Sequence, residues 1–386
     1  MMNKIWYILL LAFLAACSSP AEQGNVQKVI SSVQEKYAPD HREALFRVTS
    51  EKRGDEVILK GETNLPDAKF ELMNTLGDNG VKTVDSIEVL PQKQLGDRNW
   101  ALVNLSVANI RSNPRHSAEL ATQALLGTPV RVLKKHGGWY YIQTPDNYLG
   151  WVDSWGIYRE NEAGMNQWRN AKRVIFTADY GLIRTQPDET SQPVSDVVMG
   201  NILVQTGTKG KYAEVSFPDG RKGFLPQAEL RNFTEWENNV KPDREGICKL
   251  AHLFVGRPYL WGGTSPKAMD CSGFVKTVYF NFGIILARDA SLMVRHGKPV
   301  TLKNAKPGDL LFFGYHGKNG PRVTHTGLYL GNMNIEHSAG RVRLSSLDST
   351  KSNYFTYAPG YMVGMRDVID SVDTNGIVSV KNHPWY

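Results

Sequence analysis

Asp270-Cys271-Ser272-Gly273-Phe274 is the stretch on which the reading of this chain turns. A thiol acts as a nucleophile where a base can take its proton and a third group holds that base in place. Two later histidines supply those parts, His325 in Thr324-His325-Thr326-Gly327 and His337 in Ile335-Glu336-His337-Ser338. They are equidistant from Gly331, so a hairpin folded there sets them opposite each other on one face. One imidazole then faces the thiol and the second holds its other nitrogen. A helix from Gly273 to Tyr279, burying Phe274, Val275 and Val278, puts Cys271 at its N-terminus, where the dipole and unpaired amides favour a thiolate. The chain reads first as an enzyme.

A single histidine is more often a satisfied core or surface residue, as His41, His116, His136 and His383 are expected to be. The mirror placement, the Gly-rich and aromatic sequence before Cys271, and Gly327 beside His325 reverse that weighing. No close Cys or His pair has the spacing of a structural zinc site, so neither a metal nor a cofactor is called for. Cys248 lies on a helical pattern with Ile247, Leu250, Ala251 and Phe254, and reads as a small packed hydrophobe.

Around the motif, Pro258-Tyr259-Leu260-Trp261-Gly262-Gly263 leads into Cys271, and Lys306-Pro307-Gly308-Asp309 is a turn entering the apolar strand Leu310–Phe313. Helices followed by antiparallel strands make residues 241–370 an α+β layer. The tail after Asp370 carries no pattern to assign.

The middle of the chain is a repeat. Ile110-Arg111 matches Ile183-Arg184, Gly127 matches Gly200, and Gly150-Trp151 matches Gly223-Phe224, all offset by 73 positions without a gap. Short β-branched and aromatic runs between Gly, Pro and Asn turns make each copy, 100–160 and 173–235, a small all-β barrel. Glu160–Arg169 connects them. The copies differ at Glu119 against Gln192 and Tyr148 against Arg221, for which drift is the default explanation on surface loops.

Towards the N-terminus, residues 26–95 read as a small α/β domain. A helical run carries Val26, Val29, Ile30 and Val33, a hairpin turns at Arg53-Gly54-Asp55, a second helix opens at Pro66, and Val84–Leu90 closes the sheet. Before it, Lys4 precedes an apolar run from Ile5 to Phe13. That is shorter than the roughly 20 residues needed to cross a bilayer, so residues 1–17 read as an export signal. Leu14-Ala15-Ala16-Cys17 resembles a bacterial lipobox, which implies lipidation of Cys17 and a membrane anchor on the envelope, on its periplasmic side. The 386 residues carry a net charge of +7, but the Lys and Arg are scattered, which gives no case for nucleic acid as a partner.

Tyr259, Trp261-Gly262-Gly263, Asp270-Cys271-Ser272-Gly273-Phe274, Pro307-Gly308-Asp309 and the two histidines together resemble the NlpC-type cysteine peptidases of bacterial cell walls. The resemblance implies a papain-like α+β domain behind two SH3-like β-barrels and the small α/β domain. It makes Cys271 the nucleophile, His325 the base and His337 its orienting group, with Tyr259 and the Cys271 amide at the oxyanion. The barrels narrow it to γ-D-glutamyl-L-diamino acid endopeptidases, also called dipeptidyl-peptidase VI-like, whose substrates are peptidoglycan peptides with a free N-terminal L-alanine. In that subfamily an acidic residue and a tyrosine of the first barrel bind the amine, which points here to Glu119 and Tyr148. Arg288-Asp289-Ala290-Ser291 resembles the substrate-contacting loop, placing Asp289 and Ser291 near the amine, and Asp270 and Ser272, which flank the nucleophile, are further substrate-binding candidates. An amidase or acyltransferase using the same dyad, and a non-catalytic wall-binding protein, are the alternatives; intact Cys271, His325, His337 and Tyr259 argue against the latter.

Overall fold

The computed structural model describes residues 20–318, 320–356 and 361–386. The expected export signal, residues 1–17 with Cys17, lies outside them. Among the described residues no helix is long and apolar enough to cross a membrane. The chain forms two compact units, Met1–Leu90 and Pro91–Tyr386.

In the first unit, helices α1 (Pro20–Tyr37) and α2 (Pro66–Asp78) pack on strands β1 (Phe46–Arg53), β2 (Glu56–Thr63) and β3 (Thr83–Val89). The sheet order is β1-β2-β3, with β1–β2 antiparallel and β2–β3 parallel. Val26, Ile30 and Val33 recur at helical spacing and bury against Leu59, Leu72 and Leu76. Pro66 opens α2, where its missing N–H costs nothing.

The second unit begins at Pro91, and Leu95 already belongs to the core of the first barrel. That barrel has β4 (Trp100–Val103), β5 (Val107–Arg111), β6 (Leu120–Leu125), β7 (Pro129–His136), β8 (Trp139–Gln143), β9 (Leu149–Asp153) and β10 (Ile157–Glu160). Helix α3 (Glu162–Asn170), burying Met165 and Trp168, leads to the second barrel. Its strands are β11 (Arg173–Phe176), β12 (Tyr180–Arg184), β13 (Pro193–Val198), β14 (Ile202–Lys209), β15 (Tyr212–Ser216), β16 (Lys222–Pro226) and β17 (Leu230–Asn232). The strand orders, β10-β4-β7-β8-β9-β5-β6 and β17-β11-β14-β15-β16-β12-β13, are the same topology, and both copies bulge after Ile110 and Ile183. The sequence repeat has a steric cause at its glycines. A Cβ on Gly150 would lie 2.5 Å from the Ile110 side chain, and one on Gly223 would lie 2.5 Å from that of Ile183. Both isoleucines are fully buried, so neither can yield.

Helix α4 (Phe233–Asn239) leads to the α+β layer, which opens with α5 (Arg244–Leu253). Two short strands, β18 (Thr264–Ser265) and β19 (Ala268–Met269), precede α6 (Cys271–Phe280); β20 (Ile284–Ile285), α7 (Ala290–Met293) and β21 (Lys298–Pro299) follow it. The main sheet adds β22 (Leu310–Gly317), β23 (Gly320–Gly331), β24 (Asn334–Ala339), β25 (Arg341–Ser346) and β26 (Met362–Asp367), in the antiparallel order β21-β26-β22-β23-β24-β25. Phe274, Val275 and Val278 of α6 bury against Leu310, Phe312 and Leu328 of the sheet. The tail is ordered by contact, not by its own pattern. β27 (Val378–Ser379) pairs with β20, and Trp385 meets Trp100 of the first barrel edge-on at 5.3 Å.

Candidate active site

Cys271 opens α6. The Asp270 carboxylate caps the helix, accepting the Gly273 amide at 2.7 Å, and also accepts the Gly262 amide at 3.0 Å. Glycine is required at 273, because a Cβ there would sit 1.9 Å from the Gly263 carbonyl oxygen. The helix start is thereby pressed onto the Trp261-Gly262-Gly263 loop. The thiol is buried, with the amides of Thr326 and Ser272 directed at it. Burial pushes it up to about 11, and the Asp270 charge adds to the rise against the pull of the amides and Arg288. The helix-end stabilisation of a thiolate expected from sequence is outweighed, because desolvation and the capping carboxylate act at the same helix end. Near pH 7 the Cys271 thiol is therefore protonated.

His325, half-buried, and His337, fully buried, project from neighbouring strands, with His325 Nε2 2.7 Å from His337 Nδ1. They are not directly opposite. The pairing runs Leu328↔Glu336, Tyr329↔Ile335 and Gly331↔Asn334, and the turn is Asn332-Met333, at φ +50° and +62°. That register differs by two positions from a fold at Gly331. It makes the histidines diagonal neighbours and sets Gly327 against His337, where a Cβ would come within 3.0 Å of the His337 Cβ. A slip of two preserves the face, so the imidazoles still meet. Burial lowers His325 to about 4, with the positive charge of Arg343 adding and Asp270 opposing. Burial, His325 and Arg343 lower His337 to about 3. Both rings are therefore neutral near pH 7. Beyond them, His337 Nε2 lies 2.9 Å from the Ser345 hydroxyl, and Phe355 packs on the His337 ring at 4.5 Å.

Tyr259 is half-buried before the loop, its amide donating to the Gly340 carbonyl at 3.1 Å. Burial and the neighbouring Cys271 and Asp270 push its phenol up to about 12, so it stays a neutral hydrogen-bond donor beside the thiol.

The first barrel reaches this site by three routes. The Trp261 indole donates to Glu119 at 2.7 Å, and Gly262, at φ +79°, lies so close to Leu120 that a Cβ would be 2.2 Å from its carbonyl oxygen. The Tyr148 hydroxyl donates to Asp289 at 3.0 Å. Arg288, fully buried, donates to Thr122 of β6 at 2.9 Å, to Ser272 at 2.8 Å and to both oxygens of Asp270. Ser291 follows Asp289 on α7 and is half-buried. At the position matching Tyr148 in the second barrel, Arg221 instead donates to the Asn104 carbonyl of the first barrel at 3.0 Å. The copies thus differ where the first of them meets the α+β layer.

Sequence reading missed Arg288, Thr122 and Ser345. Arg288 stands beside Asp289 and Ser291, but nothing local marks an arginine as buried. Ser345 is a serine in an alternating strand, with no motif around it.

Residues 256–359 match the NlpC/P60 family, and residues 110–157 match the bacterial dipeptidyl-peptidase Sh3 domain. The chain is 29% identical over 228 residues to a gamma-D-glutamyl-L-lysine dipeptidyl-peptidase of Bacillus cereus, covering 57% of this chain and 67% of that one. It is 27% identical over 264 residues to dipeptidyl-peptidase 6 of Lysinibacillus sphaericus, covering 66% of this chain and 94% of that one. A crystal structure of an NlpC/P60 family protein from Bacillus cereus shares the fold at a TM-score of 0.60 and 24% identity, over 70% of this chain and 99% of that one. The chain is a cysteine peptidase that carries an NlpC/P60 domain at residues 256–359, preceded by a bacterial dipeptidyl-peptidase SH3 domain at residues 110–157.

Proposed function

We propose that this enzyme cleaves the bond between γ-D-glutamate and a diamino acid in peptidoglycan-derived peptides whose N-terminal L-alanine amine is free. As the Cys271 sulfur attacks the γ-carbonyl carbon, His325 takes the thiol proton and the carbonyl π electrons move onto oxygen, beside the Tyr259 phenol and the Cys271 amide. The C–N bond then breaks, His325 protonates the departing α-amine, and a thioester remains. Water, deprotonated by His325, hydrolyses that thioester and releases L-Ala-γ-D-Glu with a restored thiol.

The observation that carries this reading is the contact of Glu119 and Tyr148 with Trp261 and Asp289. It brings three groups able to bind an ammonium, two carboxylates and a phenol, to the edge of a thiol–imidazole site. The relatives' names, gamma-D-glutamyl-L-lysine dipeptidyl-peptidase and dipeptidyl-peptidase 6, support the same substrate class.

The test is mass spectrometry of digests of defined peptides with free and N-acetylated alanine. Much faster release of the dipeptide from the free peptide than of its acetylated form from the blocked one is expected, and equal cleavage of both would reject the amine requirement. We also place the enzyme in the cell envelope, held to a membrane by lipid on Cys17. Cys17→Ser should release it to the soluble fraction with full activity.

A further inference from the structure

We propose that Ser345 is a positioning residue of this site, the acceptor that keeps His337 in the tautomer with which His325 can act as a base. The inference rests on the cysteine–histidine reading above and goes beyond it to the direction of a buried proton chain. His325 turns its Nε2 towards His337, which leaves its Nδ1 for the thiol proton. Nδ1 can accept only if it is bare, so the ring's one proton must be on Nε2, donated to His337 Nδ1. His337 must then carry its own proton on Nε2, and the atom beside that nitrogen is the Ser345 hydroxyl oxygen, 2.9 Å away.

The same heavy-atom positions fit the opposite chain. If Ser345 donates to Nε2 and His337 Nδ1–H donates to His325 Nε2, the His325 proton is forced onto Nδ1 and the base is blocked. Each ring is neutral, so each holds a single proton and the choice between the two chains is real. When His325 becomes an imidazolium, only the first chain leaves His337 an acceptor facing it. Ser345 is buried and diagonal to His337 on the same sheet face, since His337 pairs with Arg343 and Ile335 with Ser345. A hydroxyl suits the position because it can accept without carrying a charge into the core.

The test is ¹⁵N NMR of histidine-labelled enzyme, with His325 and His337 assigned through single variants. Protons on Nε2 of both rings are expected in the wild-type protein. A His337 proton on Nδ1 there would overturn the proposal without bearing on whether Cys271 is the nucleophile, which Cys271→Ala tests separately. Ser345→Ala should move the His337 proton to Nδ1. It should lower kcat on the order of 10- to 100-fold at nearly constant KM, the scale on which losing a histidine's orienting partner is felt. Ser345→Thr keeps the hydroxyl and should recover most of that loss with the wild-type tautomers. Wild-type kcat and tautomers in Ser345→Ala would overturn the idea.

Discussion

Cys271 and His325 reach their working states by different routes, and the difference shows in how each responds to pH. The imidazole must be neutral to take a proton, and burial holds it neutral down to about pH 4. The acid limb of kcat/KM should therefore lie near pH 4, where a free histidine would place it near 6.5. A limb near 6.5 in a pH–rate profile would show that burial does not hold His325 neutral in the free enzyme. Cys271→Ala and His325→Ala should each abolish hydrolysis, because no other thiol or imidazole among the described residues takes the place of either. His337→Ala should cost less, since His337 orients the base without receiving the thiol proton. Single-turnover assays on folded variants would separate these outcomes.

The hairpin of β23 and β24 decides whether the two imidazoles meet, and a two-residue turn fixes its register. Asn332 and Met333 both have positive φ, the geometry that suits the right-handed twist of a tight hairpin. Asparagine tolerates it, but methionine is strained there. Met333→Val adds a β-branch at positive φ and should cost roughly 1–2 kcal/mol in urea unfolding. Met333→Gly should leave stability at or above the parent value, because relief of strain offsets the extra freedom of the unfolded chain. If the valine variant unfolds like the parent, the turn does not hold the register.

Contact between the first barrel and the α+β layer is, on the proposed function, what makes the cysteine–histidine site selective. Glu119 meets Trp261, Leu120 presses on Gly262, and Thr122 holds Arg288, which holds the cap of the nucleophile's helix. Glu119→Gln should raise KM for peptides with a free alanine amine while leaving their kcat and the slow cleavage of blocked peptides unchanged. Glu119 is exposed in the free enzyme, so solvent screens the pair it forms, and the loss should be about tenfold. An unchanged ratio of kcat/KM for free against acetylated peptides would move selectivity away from Glu119, to Asp289 first.

Much of this was legible in the order of residues because it rests on local sterics. The spacing of Phe274, Val275 and Val278 marks a helix with Cys271 at its start, the 73-residue repeat marks two equal barrels, and period-two alternation puts both histidines on one face in every register an even number of residues from a fold at Gly331. What depends on neighbours distant in the chain was not legible. The register itself came from a turn at Asn332-Met333. The thiol is raised, not lowered, because burial sums contributions from the whole fold. Arg288 lies 166 positions from Thr122 and Ser345 eight from His337, and only packing brings each pair together. The tail after Asp370 lacks a pattern because its order comes from β20 and Trp100. Sequence alone set which chemistry the chain carries, since nucleophile and base are residue types. Tertiary structure decided their protonation and what borders them, since desolvation and cross-domain contact exist only once the chain has folded.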